Sequence, residues 1–221
     1  MNLSSLDAVG YKNQQVPNTF ITQSGPSRHL GIILPGYRHS VDMPDLHYAG
    51  RILLEQGANV LRVEYAYART NFMEQPEAEQ DQWLSSDVFA ACNAALSERP
   101  YEKITLVGKS LGTIAMGHLL DDRRFQNAAC VWSTPLLTLA WLCSRIEQIR
   151  PRSLFIIGTA DKFYKPDILK QLQHATKGGS CIVEGANHGL EIPGDIPKSL
   201  SALNQIVKAL QEFLGGAVKR V

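Results

Sequence analysis

No apolar run in this sequence approaches the roughly 18 residues that a helix needs to span a bilayer, so a membrane-embedded protein is not expected. Neither is a secretory leader: Met1 to Lys12 shows no basic stretch followed by an apolar one. There is no C-x-x-C pair among the four cysteines, Cys92, Cys130, Cys143 and Cys181. Without an export signal they read as reduced thiols of a cytoplasmic protein, and three of them sit in apolar stretches as small core side chains. Charge of one sign is not in excess either. Lys and Arg number 22 against 21 Asp and Glu, for a net charge of +1, and the charges are dispersed. That balance offers no electrostatic footprint for nucleic acid or for an anionic membrane surface. No His, Cys, Asp or Glu cluster has ligand spacing, so neither a metal nor an organic cofactor is implied. Repeats, low-complexity tracts and linkers are absent too. What remains is an ordinary globular composition, 44% hydrophobic over 221 residues, which suits one domain spanning 1–221.

The hydrophobic pattern alternates short β-branched runs with longer helical stretches. This is the signature of an α/β protein with a mostly parallel sheet and helices on both faces. Strands are expected at His29–Leu34, Asn59–Tyr65, Lys103–Val107, Ala128–Trp132, Ser153–Ile157 and Cys181–Glu184, with one or two antiparallel edge strands within Asp7–Gln23. Helices are expected at Pro44–Gln56, Glu79–Ser97, from Gly112 to about Leu120, across Leu136–Ile149, at Pro166–Ala175 and at Lys198–Leu214. In the last of these, Leu200, Leu203, Ile206, Val207, Leu210, Phe213 and Leu214 follow helical spacing and should pack on the sheet. Tyr67–Gln80, with Glu74, Pro76, Glu77 and Glu79, reads as a long exposed loop.

Between the expected strand KITLV and the helix LGTIAMGHLL lies Gly108-Lys109-Ser110-Leu111-Gly112, a G-x-S-x-G pattern. Small residues two positions either side of the serine permit a sharp strand-to-helix turn, which lifts the hydroxyl above the sheet at a helix N-terminus. By itself the pattern is common by chance. Its strand–turn–helix context favours Ser110 as a nucleophile over a plain turn. A serine hydroxyl needs a base to take its proton and an acid to orient that base. His118, His174 and His188 follow Ser110. His118 lies deep in the nucleophile's own helix and His174 within another helix. His188 follows the strand CIVE in a glycine-rich loop, at the strand-end edge where open α/β sheets gather their catalytic groups. Asp161 stands just past SLFII, whereas the preceding strand ends in Ser133-Thr134-Pro135 without an acid. The triad expected is therefore Ser110, Asp161 and His188, with a turn-forming Asp161 and a solvated loop His188 as the bland alternatives. The oxyanion donors expected are the backbone N–H groups of Leu111 and of Tyr37, in the loop after the first parallel strand. Arg38 and His39 read as surface residues of that loop, with a side-chain role as the alternative. Trp132, Leu136, Trp141 and Phe163, with Tyr37, are candidate pocket walls for an apolar acyl or aryl group, against the alternative that they are core.

These pieces, LPGYRHS, GKSLG, GTADKF and GANHG in that order, resemble the α/β-hydrolase superfamily from about His29 onward. Pro35 stands where many relatives have His before the glycine, which leaves the backbone donor intact. The short span from Ser110 to Asp161 leaves only Leu136–Ile149 where many relatives insert a lid. The resemblance therefore implies a small, lid-poor serine esterase, similar to dienelactone-hydrolase-like enzymes, that hydrolyses a small-molecule ester through an acyl-enzyme. A thioesterase, acyltransferase or peptidase on the same residues, and a non-catalytic binding protein that kept the fold, stand as alternatives.

Overall fold

The computed structural model describes residues 1–215; residues 216–221, the end of the expected domain, lie outside the described residues. In chain order the elements are β1 (Asn2–Ser4), β2 (Asn18–Thr22), β3 (His29–Leu34), α1 (Pro44–Glu55), β4 (Asn59–Val63), α2 (Glu77–Glu98), β5 (Lys103–Lys109), α3 (Leu111–Leu119), β6 (Ala129–Ser133), α4 (Ala140–Ile149), β7 (Ser153–Gly158), α5 (Pro166–Thr176), β8 (Gly179–Val183) and α6 (Ile196–Gly215). The eight strands form one sheet in the order β1-β2-β4-β3-β5-β6-β7-β8. β1 and β2 pair antiparallel at one edge, and every pairing from β4 to β8 is parallel.

Because strand side chains alternate between faces, the central strands feed two cores. Leu30, Ile32, Leu106, Trp132 and Phe155 point to one side, where they meet α2, α3, α4 and α5. Ile33, Val107, Val131 and Ile156 point to the other, against α1 and α6. In α6 the stripe Ala202, Ile206, Leu210 and Leu214 is buried, whereas Leu200 remains 62% exposed one turn from its start. The chain reverses its direction of winding between β3 and β5: β3 leads through α1 to β4 on one side, while β5 lies on the other. In open α/β sheets the crevice at such a reversal, above the strand C-termini, is where ligands bind.

Besides exposed Leu200, three expectations change. The edge strand β1, Asn2–Ser4, lies outside Asp7–Gln23, where only β2 falls. Tyr67–Gln80 is not a simple exposed loop. It holds two short 3₁₀ turns, Tyr67–Arg69 and Phe72–Glu74, and plants Tyr67 and Phe72 in the core. Their rings stack at 4.2 Å, and the Tyr67 hydroxyl donates to buried Asp87 at 2.8 Å. The acidic residues that suggested a surface loop belong to its far end and to the first turn of α2. Trp132 is not a pocket wall. It is fully buried on the face it shares with Phe155, and its indole N–H donates to Ser153 Oγ at 3.1 Å. Proximity to a strand end suggested a pocket position, but strand parity turns the ring into the core.

Candidate active site

Ser110 occupies the junction of β5 and α3 with φ 51° and ψ −111°, a strained conformation for a residue with a side chain. The spacing of the two glycines has a direct steric cause. A Cβ on Gly112 would stand 2.0 Å from the Leu34 carbonyl oxygen, and one on Gly108 would stand 2.5 Å from the Gly112 carbonyl oxygen. α3 therefore approaches the end of β3 more closely than any other residue would permit. The Ser110 amide donates to the Ser133 carbonyl at 3.0 Å, which pins the turn to β6.

The acid and histidine loops are bound to each other before either reaches Ser110. Thr159 N–H donates to Val183 O, Ala160 N–H to Ala186 O, and Gly185 N–H to Thr159 Oγ1. Gly158 lies so close to this second loop that a Cβ would stand 2.0 Å from Ala186 O. Asn187 closes its own turn by accepting the N–H groups of Gly189 and Glu191 on its side chain. This scaffold places His188 Nδ1 2.7 Å from Asp161 Oδ2 and His188 Nε2 2.9 Å from Ser110 Oγ. The other carboxylate oxygen, Oδ1, accepts the Phe163 amide at 2.9 Å. The Asp161 side chain is fully buried while the imidazole is 35% exposed. Since a carboxylate only accepts, Nδ1 carries the proton and Nε2 is left free to accept from the serine hydroxyl. The arrangement can move a proton from Ser110 through an oriented imidazole.

The remaining expected residues divide. Phe163 packs edge-on to the His188 ring, with centroids 5.2 Å apart. Gly36 and Tyr37 open the turn closed by His39 N–H to Gly36 O, and a Cβ on Gly36 would stand 3.2 Å from Ser110 Cβ, so this loop lies directly against the serine. Leu136 and Trp141 line a cavity of about 200 Å³ together with Phe72, Leu111, Ile114 and Leu139. Leu111, the residue after Ser110, is part of its lining. A larger one, about 330 Å³, lies behind the histidine loop between His39, Met43, Leu190, Ile192 and Leu200; neither cavity is lined by Ser110, Asp161 or His188. His118 pairs with Asp81 at 2.8 Å and stacks on Trp141, and His174 is exposed on α5, so neither approaches Ser110.

Sequence reasoning missed a buried polar cluster beneath the site, formed by Lys109, Asp45, Ser133, Thr134 and His39. His39, read as a surface residue, has a side chain only 14% exposed and reaches Asp45 at 3.2 Å. The one local hint was a lysine directly after the apolar run Leu106-Val107-Gly108, next to the serine. Among the described residues, no group of three His, Cys, Asp or Glu side chains could hold a metal ion, and no helix is long and apolar enough to cross a membrane.

Residues 40–215 match the family described as alpha/beta hydrolase domain, and the chain belongs to that family. No curated protein matches it. Similar solved structures include an esterase of Pyrococcus furiosus, with TM-score 0.71 and 16% identity over 97% of this chain and 92% of that one. A Xanthomonas campestris protein described as an α/β serine hydrolase without a lid superposes with TM-score 0.69 and 16% identity, over 100% of this chain and 96% of its own. A dienelactone hydrolase of Anabaena variabilis does so with TM-score 0.69 and 16% identity, over 97% of each chain. At these identities the likeness establishes the fold: a mostly parallel α/β-hydrolase sheet, similar to that of an esterase, a dienelactone hydrolase and a serine hydrolase described as having no lid.

Proposed function

We propose that this protein is a serine hydrolase of small-molecule carboxylic esters, working as a single domain with Ser110 as nucleophile, His188 as base and Asp161 as orienting acid. The observation that carries this reading is the continuous line Ser110 Oγ–His188 Nε2–His188 Nδ1–Asp161, with steps of 2.9 and 2.7 Å. His188 takes the hydroxyl proton as Oγ attacks the ester carbonyl, and Asp161 stays ionised to stabilise the imidazolium. The developing oxyanion lies at the N-terminus of α3, between the Leu111 and Tyr37 amides, neither of which donates to a protein acceptor among the described residues. The imidazolium then protonates the leaving alcohol. Water, activated by the same imidazole, hydrolyses the acyl-enzyme and frees Ser110. The acyl chain enters the largely apolar cavity lined by Leu111, Leu136 and Trp141, whose lining also includes Glu77, Gln80 and Asp81.

A fluorophosphonate probe tests this directly. Stoichiometric labelling at Ser110 is expected, abolished in Ser110→Ala and weakened in His188→Ala. A folded protein that takes up no label would favour a non-catalytic binding role. A panel of p-nitrophenyl esters of rising acyl length, run beside acyl-CoA and peptide substrates, separates esterase from thioesterase and peptidase activity.

A further inference from the structure

The residue immediately before the proposed nucleophile carries a buried charge that the reaction above does not use. The Lys109 side chain is 3% exposed, and its ammonium donates to the His188 main-chain carbonyl at 3.1 Å and to Thr134 Oγ1 at 3.2 Å. Its counter-ion is Asp45, from the first turn of α1, with Oδ2 at 3.6 Å and a side chain 7% exposed. Asp45 in turn accepts Ser133 Oγ at 2.8 Å and faces His39 Nε2 at 3.2 Å. We propose that Lys109 is a positioning residue, holding the histidine loop against the nucleophile turn through its buried ammonium, with Asp45 as the counter-ion that makes this burial tolerable. The proposal rests on the functional reading of Ser110, Asp161 and His188 given above.

Connectivity supports it. The histidine loop is bonded to the acid loop and to itself, but among the described residues only two hydrogen bonds join it to β5 and the serine. One is the His188–Ser110 bond, which must break and re-form as the proton moves. The other is the Lys109 bond to the His188 carbonyl, which the chemistry leaves intact. It is the tether that can hold the ring in place through the cycle. An ammonium removed from water requires acceptors and an opposite charge, and both are present. Burial pushes the Lys109 ammonium pKa down, and the charges of Asp45 and Asp161 oppose that without cancelling it. Burial pushes the Asp45 carboxyl up, yet the His39 hydrogen bond, the Lys109 charge and the Ser133 hydrogen bond hold it below the usual carboxylate value.

Lys109→Met keeps the aliphatic stem and removes the ammonium, but it leaves the buried Asp45 carboxylate without the lysine charge, held only by Ser133 and His39, so lost activity alone would not separate positioning from folding. Lys109→Met combined with Asp45→Asn removes both charges. The double variant is expected to regain a cooperative melt. Its kcat on p-nitrophenyl acetate should fall about 10- to 100-fold with KM unchanged, since a displacement near 1 Å at a reacting group costs on that order. The low-field proton resonance of His188 Nδ1 should broaden as the ring loses its fixed place. A folded double variant with parental kcat and a sharp Nδ1 resonance overturns the proposal. If the parent protein neither takes the fluorophosphonate label nor turns over esters, the functional reading fails instead. The Nδ1 resonance still decides the positioning claim in that case: unchanged in the double variant it refutes the tether, broadened it upholds it.

Discussion

Replacing Asp161 by asparagine changes one atom and reverses a hydrogen bond. Asp161 Oδ1 accepts the Phe163 amide at 2.9 Å, so the asparagine must leave its carbonyl oxygen there; the flipped amide would set two N–H donors against each other. Its NH₂ then faces His188 Nδ1, 2.7 Å away in the parent. Nδ1 can only accept from that group, and the imidazole proton moves to Nε2, where it points at Ser110 Oγ. The base is lost although every side chain keeps its place. Where a serine triad suffers this tautomer reversal, kcat drops on the order of 10⁴, or about 5.5 kcal/mol of transition-state stabilisation. KM should be unchanged, because the substrate touches neither atom of the altered pair. Initial rates on p-nitrophenyl acetate and the rate of fluorophosphonate labelling should fall together, with a cooperative thermal melt retained. A folded Asp161→Asn protein that keeps more than about a tenth of the parental kcat would refute the reasoning, since an imidazole protonated at Nε2 cannot serve as the base.

Gly112→Ala should cost at least about 3 kcal/mol in urea melts, because the new methyl meets the Leu34 carbonyl oxygen at 2.0 Å and that atom belongs to a strand held on both sides; parental stability would contradict the close packing of α3 on β3. Burial, followed by the charge of Lys103, lowers the His29 pKa from 6.5 to about 4. A folded pKa below the unfolded one means that this stabilising contribution is complete above pH 6.5 and is lost as pH falls towards 4. The ring is partly exposed, so the effect is screened, and His29→Gln should flatten the pH dependence of stability in that window relative to the parent. Ile114→Trp should fill the cavity of about 200 Å³ beside Leu111. With each excluded methylene worth about 1–3 kcal/mol, kcat/KM for hexanoyl esters should fall at least about tenfold while acetyl esters are little affected; equal losses for both would place the acyl chain elsewhere.

Much of the fold was legible because it depends on neighbours in sequence. The apolar runs at His29–Leu34 and Ser153–Ile157, Pro44 at the first turn of α1 and Gly57 after its end bounded their elements to within about two residues. The four loop motifs were legible for the same reason: glycines two residues either side of Ser110 declare a close approach before the approaching backbone is known. Trp132 was misplaced because its position along the strand is local information, whereas the helices that cover its face are not. Tyr67 and Phe72 were hidden in a polar stretch, and only the fold sets α2 with Asp87 beneath them.

Lys109 marks the boundary most clearly. In sequence it is a charge beside a serine, and a charge is ordinarily solvated. Its acceptors come from Asp45, Thr134 and His188, on three separate segments. By itself the sequence determined which residue types stand at the strand ends and in what order, because turns, caps and periodicity act over a few residues. The tertiary structure decided which of those ends meet, which faces are covered and which charges are taken out of water. Those outcomes depend on how the sheet brings distant loops together, and no local pattern encodes that distance.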